Sequence, residues 1–218
     1  MDAVIVLSGG MDSAVLLASQ LPTGTRVSAI SFDYGAKHNH REIPMAADLC
    51  RHYNVPHQVV ALPFIDQLFA SNLLHSGGAV PDGAYDAANM KQTVVPFRNG
   101  IMLAIAAGYA ESVGAARVLI ASHSGDHAIY PDCRPAFNAA MGAAITAGTA
   151  DAVTLEAPFA GMDKREIGDL GRSLGVDFTR TWTCYKGGAV HCGTCGACDE
   201  RKYALRFAEG KDPTGYEK

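Results

Sequence analysis

The chain lacks the features that mark membrane, secreted and nucleic-acid-binding proteins. No apolar run reaches the roughly 18 residues that a membrane span requires, and no basic segment precedes an apolar core at the N-terminus, as in a signal peptide. The net charge of −4 gives no electrostatic basis for general nucleic-acid binding. We therefore expect a cytoplasmic protein that contacts no membrane and no nucleic acid directly.

Internal repeats and low-complexity linkers are also absent. Hydrophobic residues make up 48% of the 218 residues and charged residues 18%, so the chain is globular rather than disordered. A chain of this length suffices for one α/β domain with a substantial core.

A glycine-rich turn lies between a predicted strand at residues 3–7 and a predicted helix at residues 14–19. It reads Ser8-Gly9-Gly10-Met11-Asp12-Ser13 and contains neither Gly-Lys-Ser/Thr nor G-x-G-x-x-G, so it is neither a Walker loop nor a dinucleotide loop. Glycines let the backbone turn sharply, and the free N–H groups of the following helix attract an anion, usually phosphate. The sequence therefore predicts a nucleotide site, with an ordinary βα turn as the alternative.

Hydrophobic patterning predicts five strands that alternate with helices. The strands are residues 3–7, 27–32, 57–62, 117–122 and 153–157. After the first helix, further helices are predicted over residues 40–52, 64–74, 100–113, 137–147, 163–174 and 199–209. This alternation is typical of a doubly wound, five-stranded parallel sheet.

Polar side chains follow the ends of the predicted strands, where an open parallel sheet forms its ligand crevice. Asp33 and Tyr34 end the second strand, and Arg98 and Asn99 open a buried helix. The fourth strand leads into a denser group: His123, Asp126, Tyr130, Asp132, Cys133 and Arg134, before Phe137. Such a segment suits a polar, planar ligand that needs several directional contacts. Taken singly, these residues have plainer interpretations, such as Asp132 capping the next helix or Arg98 lying on the surface.

His38 and Glu42 lie four residues apart, around the start of the helix predicted over residues 40–52, and can share one face. Two further features allow two interpretations each. Lys164 falls in the first turn of a helix with a capping-box pattern, either in the site or on the surface. Residues 76–89 are rich in Gly, Pro, Asp and Ala and form either a lid over the crevice or a plain flexible insert.

Four cysteines near the C-terminus have the spacing C-x7-C-x2-C-x2-C, at Cys184, Cys192, Cys195 and Cys198. Four thiolates suit one tetrahedral structural Zn²⁺, which we predict here, with two disulfides or an iron–sulfur cluster as alternatives. A metal site here would hold an extension at residues 181–218 against a nucleotide-binding domain at residues 1–180. Cys50 lies on an apolar helix face and fits a packing role, whereas Cys133 lies inside the polar group and stays ambiguous.

Five segments together resemble the 7-cyano-7-deazaguanine synthase (QueC) family of the ATP-pyrophosphatase superfamily. They are Ser8-Gly9-Gly10-Met11-Asp12-Ser13, Phe32-Asp33-Tyr34-Gly35, Val95-Pro96-Phe97-Arg98-Asn99, Tyr130-Pro131-Asp132-Cys133-Arg134, and Trp182-Thr183-Cys184-Tyr185 with the cysteine cluster. The resemblance extends over nearly the whole chain. It departs from the family at Ala36, where the family usually has Gln, and this puts a side-chain contact from that position in doubt.

The resemblance implies an adenine nucleotide alpha hydrolase-like fold and an ATP-dependent carbon–nitrogen ligase that forms a homodimer. The substrate would be 7-carboxy-7-deazaguanine, which ammonia and ATP would convert to its nitrile on the pathway to queuosine in tRNA. Adenylation gives the carboxylate a better leaving group, ammonia then forms an amide, and activation of the amide oxygen removes water. Whether ATP leaves as AMP or ADP, and what supplies the ammonia, stay open.

The resemblance also implies roles for the motif residues. Nucleotide binding falls to Leu7, Ser8, Gly9, Gly10, Met11, Asp12, Ser13, Phe32 and Asp33, with Asp12 acting through Mg²⁺. The expected catalytic residues are Asp12, Ser13, Arg98 and Lys164, of which the last two stabilise developing negative charge. The expected substrate contacts are Arg98, Asn99, His123, Asp126, Tyr130, Asp132, Arg134 and Phe137. Among these, the aspartates suit the guanidine-like edge of the base, and Tyr130 or Phe137 its plane.

Two other functions remain open at this point. A sulfur-transfer member of the same superfamily, acting on tRNA, would need a reactive cysteine or a cluster, and the acidic net charge argues against its RNA surface. A zinc-ribbon module for nucleic acid would show basic residues around the metal. Here Asp199 and Glu200 offset Lys186, His191, Arg201 and Lys202.

Overall fold

A computed structural model describes residues 1–84, 88–206 and 212–217. Its strands are β1 (Ala3–Val6), β2 (Val27–Asp33), β3 (His57–Ala61), β4 (Arg117–Leu119) and β5 (Thr154–Glu156). All five pair in parallel in the order β3-β2-β1-β4-β5. This confirms the predicted fold class, a doubly wound five-stranded parallel sheet.

Helices connect the strands on both faces of the sheet. They are α1 (Met11–Gln20), α2 (Asn39–Tyr53), α3 (Pro63–Leu68), α4 (Arg98–Ser112), α5 (Pro135–Gly148), α6 (Lys164–Ser173) and α7 (Gly196–Leu205). The predicted capping box opens α6: the backbone N–H of Glu166 donates to Asp163 Oδ1, and that of Asp163 donates to Glu166 Oε2. This cap fixes the first turn of α6, and with it the position of Lys164.

Successive side chains of β1 enter two separate hydrophobic cores. Val4 packs in a cluster that contains Leu103 of α4, whereas Ile5 packs in a cluster with Leu16 of α1 and Ile167 of α6. This alternation follows from the two-residue period of a strand, and it requires apolar residues on both faces. Strand β1 is therefore buried on both faces.

The strand order reverses direction around β1, because the chain proceeds from β1 to β2 and β3 on one side and later to β4 and β5 on the other. At such a switch point the connections leave the carboxyl ends of neighbouring strands in opposite directions and open a crevice. The glycine-rich turn follows β1 at this place. The topology therefore positions the predicted nucleotide loop at the ligand edge of the sheet.

The C-terminal segment packs into the body of the fold. Trp182, Cys184 and Cys195 belong to the same buried cluster as Val4 of β1. Arg201 of α7 is 1% exposed and donates hydrogen bonds to four oxygens, those of Thr214 Oγ1, Thr181 Oγ1, Thr183 Oγ1 and the Phe178 carbonyl. These bonds attach α7 to the two chain segments on either side of it.

One predicted helix is shorter than expected. The pattern predicted residues 64–74, but α3 ends at Leu68. The following residues turn around the ammonium group of Lys37, which donates to the carbonyl oxygens of Asn72, Leu74, Gly77 and Gly78. A helix would use such carbonyls internally, so this long-range contact replaces the predicted last turns.

The start of the last helix also differs from the prediction. The last helix was predicted at residues 199–209, whereas α7 begins at Gly196, and residues 207–209 lie outside the described chain. Residues 85–87 of the predicted loop 76–89 are likewise outside it. The described part of that loop contacts the cysteine region, where Gly83 N donates to the Thr194 carbonyl and Lys186 Nζ lies 2.5 Å from Asp82 Oδ1.

Among the residues described, no helix has the length and the apolar character that crossing a bilayer requires.

Candidate active site

A cavity opens at the carboxyl end of β1. Its volume is about 200 Å³. Most of the predicted nucleotide and substrate residues line it: Leu7, Ser8, Gly10, Met11, Asp12, Ser13, Phe32, Arg98, Asn99, Asp126 and Tyr130. The fold therefore brings together residues that are more than 100 positions apart in the sequence.

The two glycines of the loop have different structural roles. Gly9 has φ +90°, and a Cβ at this position would lie 2.2 Å from the Glu42 carbonyl oxygen and 2.8 Å from the Ala46 nitrogen of α2. Its missing side chain therefore makes room for a helix rather than for a ligand. Gly10 precedes α1 in an extended conformation and lines the cavity. The unobstructed approach to a ligand thus belongs to Gly10.

Hydroxyl groups and backbone amides line the loop. Ser8 Oγ lies 3.0 Å from Ser13 Oγ and accepts a hydrogen bond from Gly10 N at 3.1 Å, and Ser13 Oγ donates to the Gly10 carbonyl. Gly10 supplies no side-chain cap to α1. The amides of the first turn of α1 therefore face the cavity edge without a capping oxygen, which is the arrangement that binds phosphate.

A cluster of charged side chains adjoins the loop. Lys164 Nζ lies 2.5 Å from Asp12 Oδ2, 3.1 Å from Glu200 Oε2 and 3.4 Å from His123 Nε2. His123 Nε2 lies 3.5 Å from Asp126 Oδ2, and its Nδ1 accepts the Gly125 N–H. Lys164 is 7% exposed, so it is not the surface residue of the alternative interpretation. The cluster joins α1, α6, α7 and the segment after β4.

The charges of this cluster stabilise one another. Burial alone would raise the pKa of Asp12, but the nearby Lys164 and His123 lower it below its ordinary value. Burial likewise opposes the charge of Lys164, yet the carboxylates of Asp12 and Glu200 raise its pKa. Asp12 Oδ1 is buried with no hydrogen-bond partner among the described residues. An unpaired buried carboxylate oxygen beside a phosphate loop is a fitting ligand for a divalent cation.

Arg98 also lines the cavity. Phe97 precedes α4 with a left-handed φ of +52°, and its ring occupies the space where a Cβ of Gly100 would stand, 2.3 Å away. A non-glycine residue in this conformation costs roughly 1–2 kcal/mol, and it turns the chain into α4 so that Arg98 enters the cavity. The Arg98 guanidinium donates to the Tyr34 hydroxyl at 3.1 Å and lies 5.5 Å from the centre of that ring.

Tyrosine hydroxyl groups form a wall of the cavity together with Arg98. Tyr130 OH lies 3.0 Å from Thr93 Oγ1 and 3.3 Å from Tyr185 OH, and both tyrosines line the cavity together with Phe32 and Trp182. Rings with hydroxyl groups offer flat faces and directional hydrogen bonds at once. This wall therefore suits a planar heterocycle.

The predicted pair His38 and Glu42 also faces the cavity, which sequence reasoning did not assign to the site. His38 is the N-cap of α2 and Glu42 lies in its first turn, with 3.6 Å between His38 Nε2 and Glu42 Oε2. Burial raises the pKa of Glu42 to about 8 against the opposing effect of Arg98, and burial and Arg98 together lower the pKa of His38 to about 3. Their four-residue spacing was the only signal in the sequence.

Several predicted site residues lie outside the wall that the described residues form. Asp132 Oδ2 accepts the backbone N–H of Asn99 at 2.8 Å, so this carboxylate caps α4 rather than α5. Arg134 donates to the His127 carbonyl, and Phe137 packs edge-on against the ring of Phe97. The others are Asp33, whose Oδ1 accepts from Gly35 N, together with Gly9, His123 and Lys164 described above.

The four clustered cysteines converge in a separate buried site. Their Sγ atoms all lie within 4.8 Å of one another, and Cys192 Sγ is 3.9 Å from Cys198 Sγ. Backbone N–H groups of Thr194 and Cys195 donate to Cys192 Sγ. All six cysteines are unpaired, so the alternative with two disulfides is not the one formed.

The cysteine geometry fits a single metal ion. Tetrahedral zinc with Zn–S bonds near 2.3 Å places its sulfurs about 3.8 Å apart, close to the distance between Cys192 and Cys198. An iron–sulfur cluster holds its cysteines further apart, because several iron atoms lie between them. Helix α7 begins directly after Cys195, so the cysteines also fix the direction in which Glu200 projects toward Lys164.

The chain is similar to one protein family over nearly its whole length. The family model described as queuosine biosynthesis protein QueC matches residues 2–209. A Desulfotalea psychrophila protein named 7-cyano-7-deazaguanine synthase is 64% identical over 215 residues, covering 99% of this chain and 98% of that protein. Proteins of the same name from Porphyromonas gingivalis (53%, covering 99% of this chain and 97% of that protein) and Methanoregula boonei (46%, covering 100% of both) are further relatives.

Solved structures with the same fold are more distant. The NMN synthetase from Francisella tularensis has a TM-score of 0.55 at 18% identity and covers 86% of this chain and 68% of its own. A 4-thiouridine synthetase, solved as an RNA complex with bound ATP, has a TM-score of 0.54 at 19% identity over 82% of this chain and 42% of its own. At such identities these likenesses support the fold alone.

Proposed function

Because the chain belongs to the QueC queuosine biosynthesis family, we propose that it converts 7-carboxy-7-deazaguanine to 7-cyano-7-deazaguanine, using ATP and ammonia. The observation that carries this proposal is a cavity lined both by the uncapped N-terminus of α1 and by Arg98 with Tyr34, Tyr130 and Tyr185. The helix N-terminus suits the phosphates of ATP, and Arg98 with the tyrosines suits a planar base that carries a carboxylate.

The chemistry explains why ATP is needed. A carboxylate is a poor electrophile because hydroxide is a bad leaving group. Transfer of an adenylyl group to the carboxylate oxygen releases pyrophosphate, and ammonia then displaces AMP to give the amide. A second activation, at the amide oxygen, allows loss of that oxygen and formation of the nitrile. Both activations act on the same exocyclic carbon, so one site serves both.

The loop end of the cavity would hold the triphosphate. The amides at Gly10 and in the first turn of α1 would bind the phosphate oxygens, with Ser8 and Ser13 supplying hydroxyl groups. Asp12 would hold Mg²⁺ through its unpartnered Oδ1, and the ion would neutralise phosphate charge during transfer. Leu7, Met11 and Phe32 would border the adenosine.

The wall that contains Arg98 and the tyrosines would hold the carboxylated base. Arg98 would pair with the carboxylate and stabilise charge that develops there, while Asp126 would accept from the guanidine-like edge. Tyr130 supplies a ring for stacking. Predicted residues outside the cavity wall would act through their neighbours, as Asp132 does when it accepts the Asn99 N–H.

We further propose that the cysteine site holds one structural Zn²⁺ per chain, bound by Cys184, Cys192, Cys195 and Cys198. Such an ion would hold residues 181–218 against an ATP-binding domain at residues 1–180. The expected setting is a cytoplasmic homodimer on the pathway that supplies modified tRNA, with no direct nucleic-acid partner.

The proposal is tested by mass spectrometry of the products. The purified, metal-loaded protein is incubated with the carboxylate, ATP and ammonium ion, and the nitrile, AMP and ADP are quantified. We expect nitrile and AMP that depend on all three reactants. Absence of nitrile, or ADP in place of AMP, would refute the function or its adenylation step respectively. Iron and labile-sulfide analysis of the same sample tests the sulfur-transfer alternative.

A further inference from the structure

The partly exposed Glu42 and the buried His38 have no part in the chemistry assigned so far, although both residues line the cavity. A Cβ built on Gly10 would lie 3.9 Å from Glu42 Oε1, so this oxygen lies beside the phosphate loop. The other oxygen, Oε2, lies 3.6 Å from His38 Nε2. The side chain of Glu42 is 12% exposed, so its carboxyl group is held among protein atoms at the inner end of the site.

A carboxyl group in this cavity could either bind the guanidine-like edge of the base or act at the reacting carbon, and the position of Glu42 favours the second role. In the proposed substrate, the guanidine-like edge lies on the six-membered ring, and the reacting carboxyl group is attached to the five-membered ring. The reacting carboxyl must approach the phosphates, so the guanidine-like edge must point away from them. A group beside Gly10 is therefore near the reacting carbon and far from that edge.

The reaction needs a proton acceptor at this point. When ammonia attacks the activated carbon, the new nitrogen carries a positive charge until it loses a proton. We propose that Glu42 is the base that accepts this proton. The C–N bond forms, the C–O bond to AMP breaks with its electron pair leaving on AMP, and the released N–H proton passes to the Glu42 carboxylate. This inference rests on the proposed function.

The electrostatic surroundings support the same role. The titratable groups that face Glu42 are His38 from its own helix, Arg98 from α4 and Tyr34 from the end of β2. Burial raises the pKa of Glu42 to about 8, so its carboxylate form is a stronger base than an ordinary carboxylate and is still partly populated at neutral pH. A base with a pKa near the working pH both accepts and returns a proton efficiently. His38 has a pKa lowered to about 3 and adds no positive charge beside it.

The test separates the two halves of the reaction. Carboxylate-dependent exchange of labelled pyrophosphate into ATP measures adenylation without ammonia, and rapid-quench mass spectrometry measures ammonia-dependent amide and nitrile formation. For Glu42→Gln we expect exchange within about threefold of the unmodified protein, and ammonia-dependent product slower by about 10²–10⁴-fold. Hydroxylamine, mostly unprotonated at neutral pH, should reduce this deficit, because its adduct loses a proton more readily to water.

Two further variants control for structural effects. Glu42→Asp keeps a carboxylate, one methylene further back, and should slow the ammonia step less than Glu42→Gln. Asp169→Asn makes the same carboxylate-to-amide change on α6, where the side chain is 53% exposed, and should leave both steps unchanged. Equal slowing of exchange and product formation in Glu42→Gln would overturn the inference, as would an unaffected ammonia step. If the unmodified protein shows no carboxylate-dependent exchange, the proposed function itself fails.

Discussion

Removal of the Lys164 ammonium group tests the charged cluster directly. The substitution Lys164→Met keeps most of the aliphatic length and deletes the charge that lies 2.5 Å from Asp12 Oδ2 and 3.1 Å from Glu200 Oε2. It leaves two carboxylates close to each other, with His123 as the nearest remaining group that can be cationic. We therefore expect Lys164→Met to destabilise the fold as well as to abolish ATP-dependent product formation.

The size of the expected loss in unfolding free energy follows from the burial of the ion pair. Breaking a buried ion pair by removing one partner costs about 3–5 kcal/mol, since the other charge is left without compensation. The side chain of Asp12 is 22% exposed and that of Glu200 is 10% exposed, so water in the cavity relieves part of this cost. We expect a loss of about 3 kcal/mol in the free energy of unfolding. With a urea m-value of about 2–3 kcal/mol per molar, the unfolding midpoint should fall by about 1–1.5 M.

The stability that Lys164→Met loses should depend on pH in a defined direction. The pKa of Asp12 is lowered from 3.8, so its contribution to stability is present above that value and is lost as the pH falls through the folded-state pKa. The pKa of Lys164 is raised from 10.5, so its contribution is present below 10.5 and is lost only at more alkaline pH. The difference between Lys164→Met and the unmodified protein should therefore be largest near pH 5–9 and should shrink in acid.

A double-mutant cycle isolates the interaction. Urea unfolding of Asp12→Asn, Lys164→Met and the double variant should give a coupling energy of about 1.5–3 kcal/mol, because removing both charges together leaves less uncompensated charge. The exposed pair Arg165 and Asp169, 3.8 Å apart on the same helix, is the control and should couple by less than about 0.5 kcal/mol. Equal coupling in the two cycles, or additive effects at Asp12 and Lys164, would refute this reasoning.

Three other predictions concern single residues. Gly9→Ala places a Cβ 2.2 Å from the Glu42 carbonyl oxygen and should lower the free energy of unfolding by at least about 4 kcal/mol. Gly24→Ala is the control, also at positive φ but with open space around it, and should lower that free energy by about 1 kcal/mol. Thermal unfolding of the two variants compares these losses. Cys192→Ser should lower the metal content below one ion per chain and reduce the melting temperature, and metal retained at full stoichiometry would contradict the site. Burial raises the pKa of Cys133, so its thiol stays protonated, and Cys133→Ser should form nitrile within about threefold of the normal rate; loss of turnover would favour sulfur chemistry.

The fold was predictable because its signals are local and repeated. Buried parallel strands need apolar residues on both faces, so each appears in the sequence as a short apolar run. The capping box before Lys164 is likewise a local pattern, and the structure forms it. The helix predicted over residues 64–74 fails for the opposite reason. It ends at Leu68 because Lys37, distant in sequence, binds the carbonyls of the following turn.

The site residues were predictable from the sequence only where polar side chains come soon after the carboxyl end of a strand. The glycine-rich turn and Arg98 could be placed, because topology gathers the carboxyl ends of parallel strands. Asp132 and Phe137 come from the same polar segment, yet one caps α4 and the other packs on Phe97. Sequence alone does not determine which way a residue in an irregular segment points, since no helical or strand period fixes its direction.

Glu200 contacts the charged cluster although no sequence motif indicates this role. In the sequence it reads as a charge beside the cysteines that offsets nearby basic residues. In the structure the cysteine cluster fixes the start of α7, and Glu200, two residues after Cys198, reaches Lys164 Nζ at 3.1 Å. Lys164 in turn contacts Asp12 at the phosphate loop. A metal at the cysteines would therefore do more than hold the tail, because the same helix that it anchors supplies one of the carboxylates that hold Lys164.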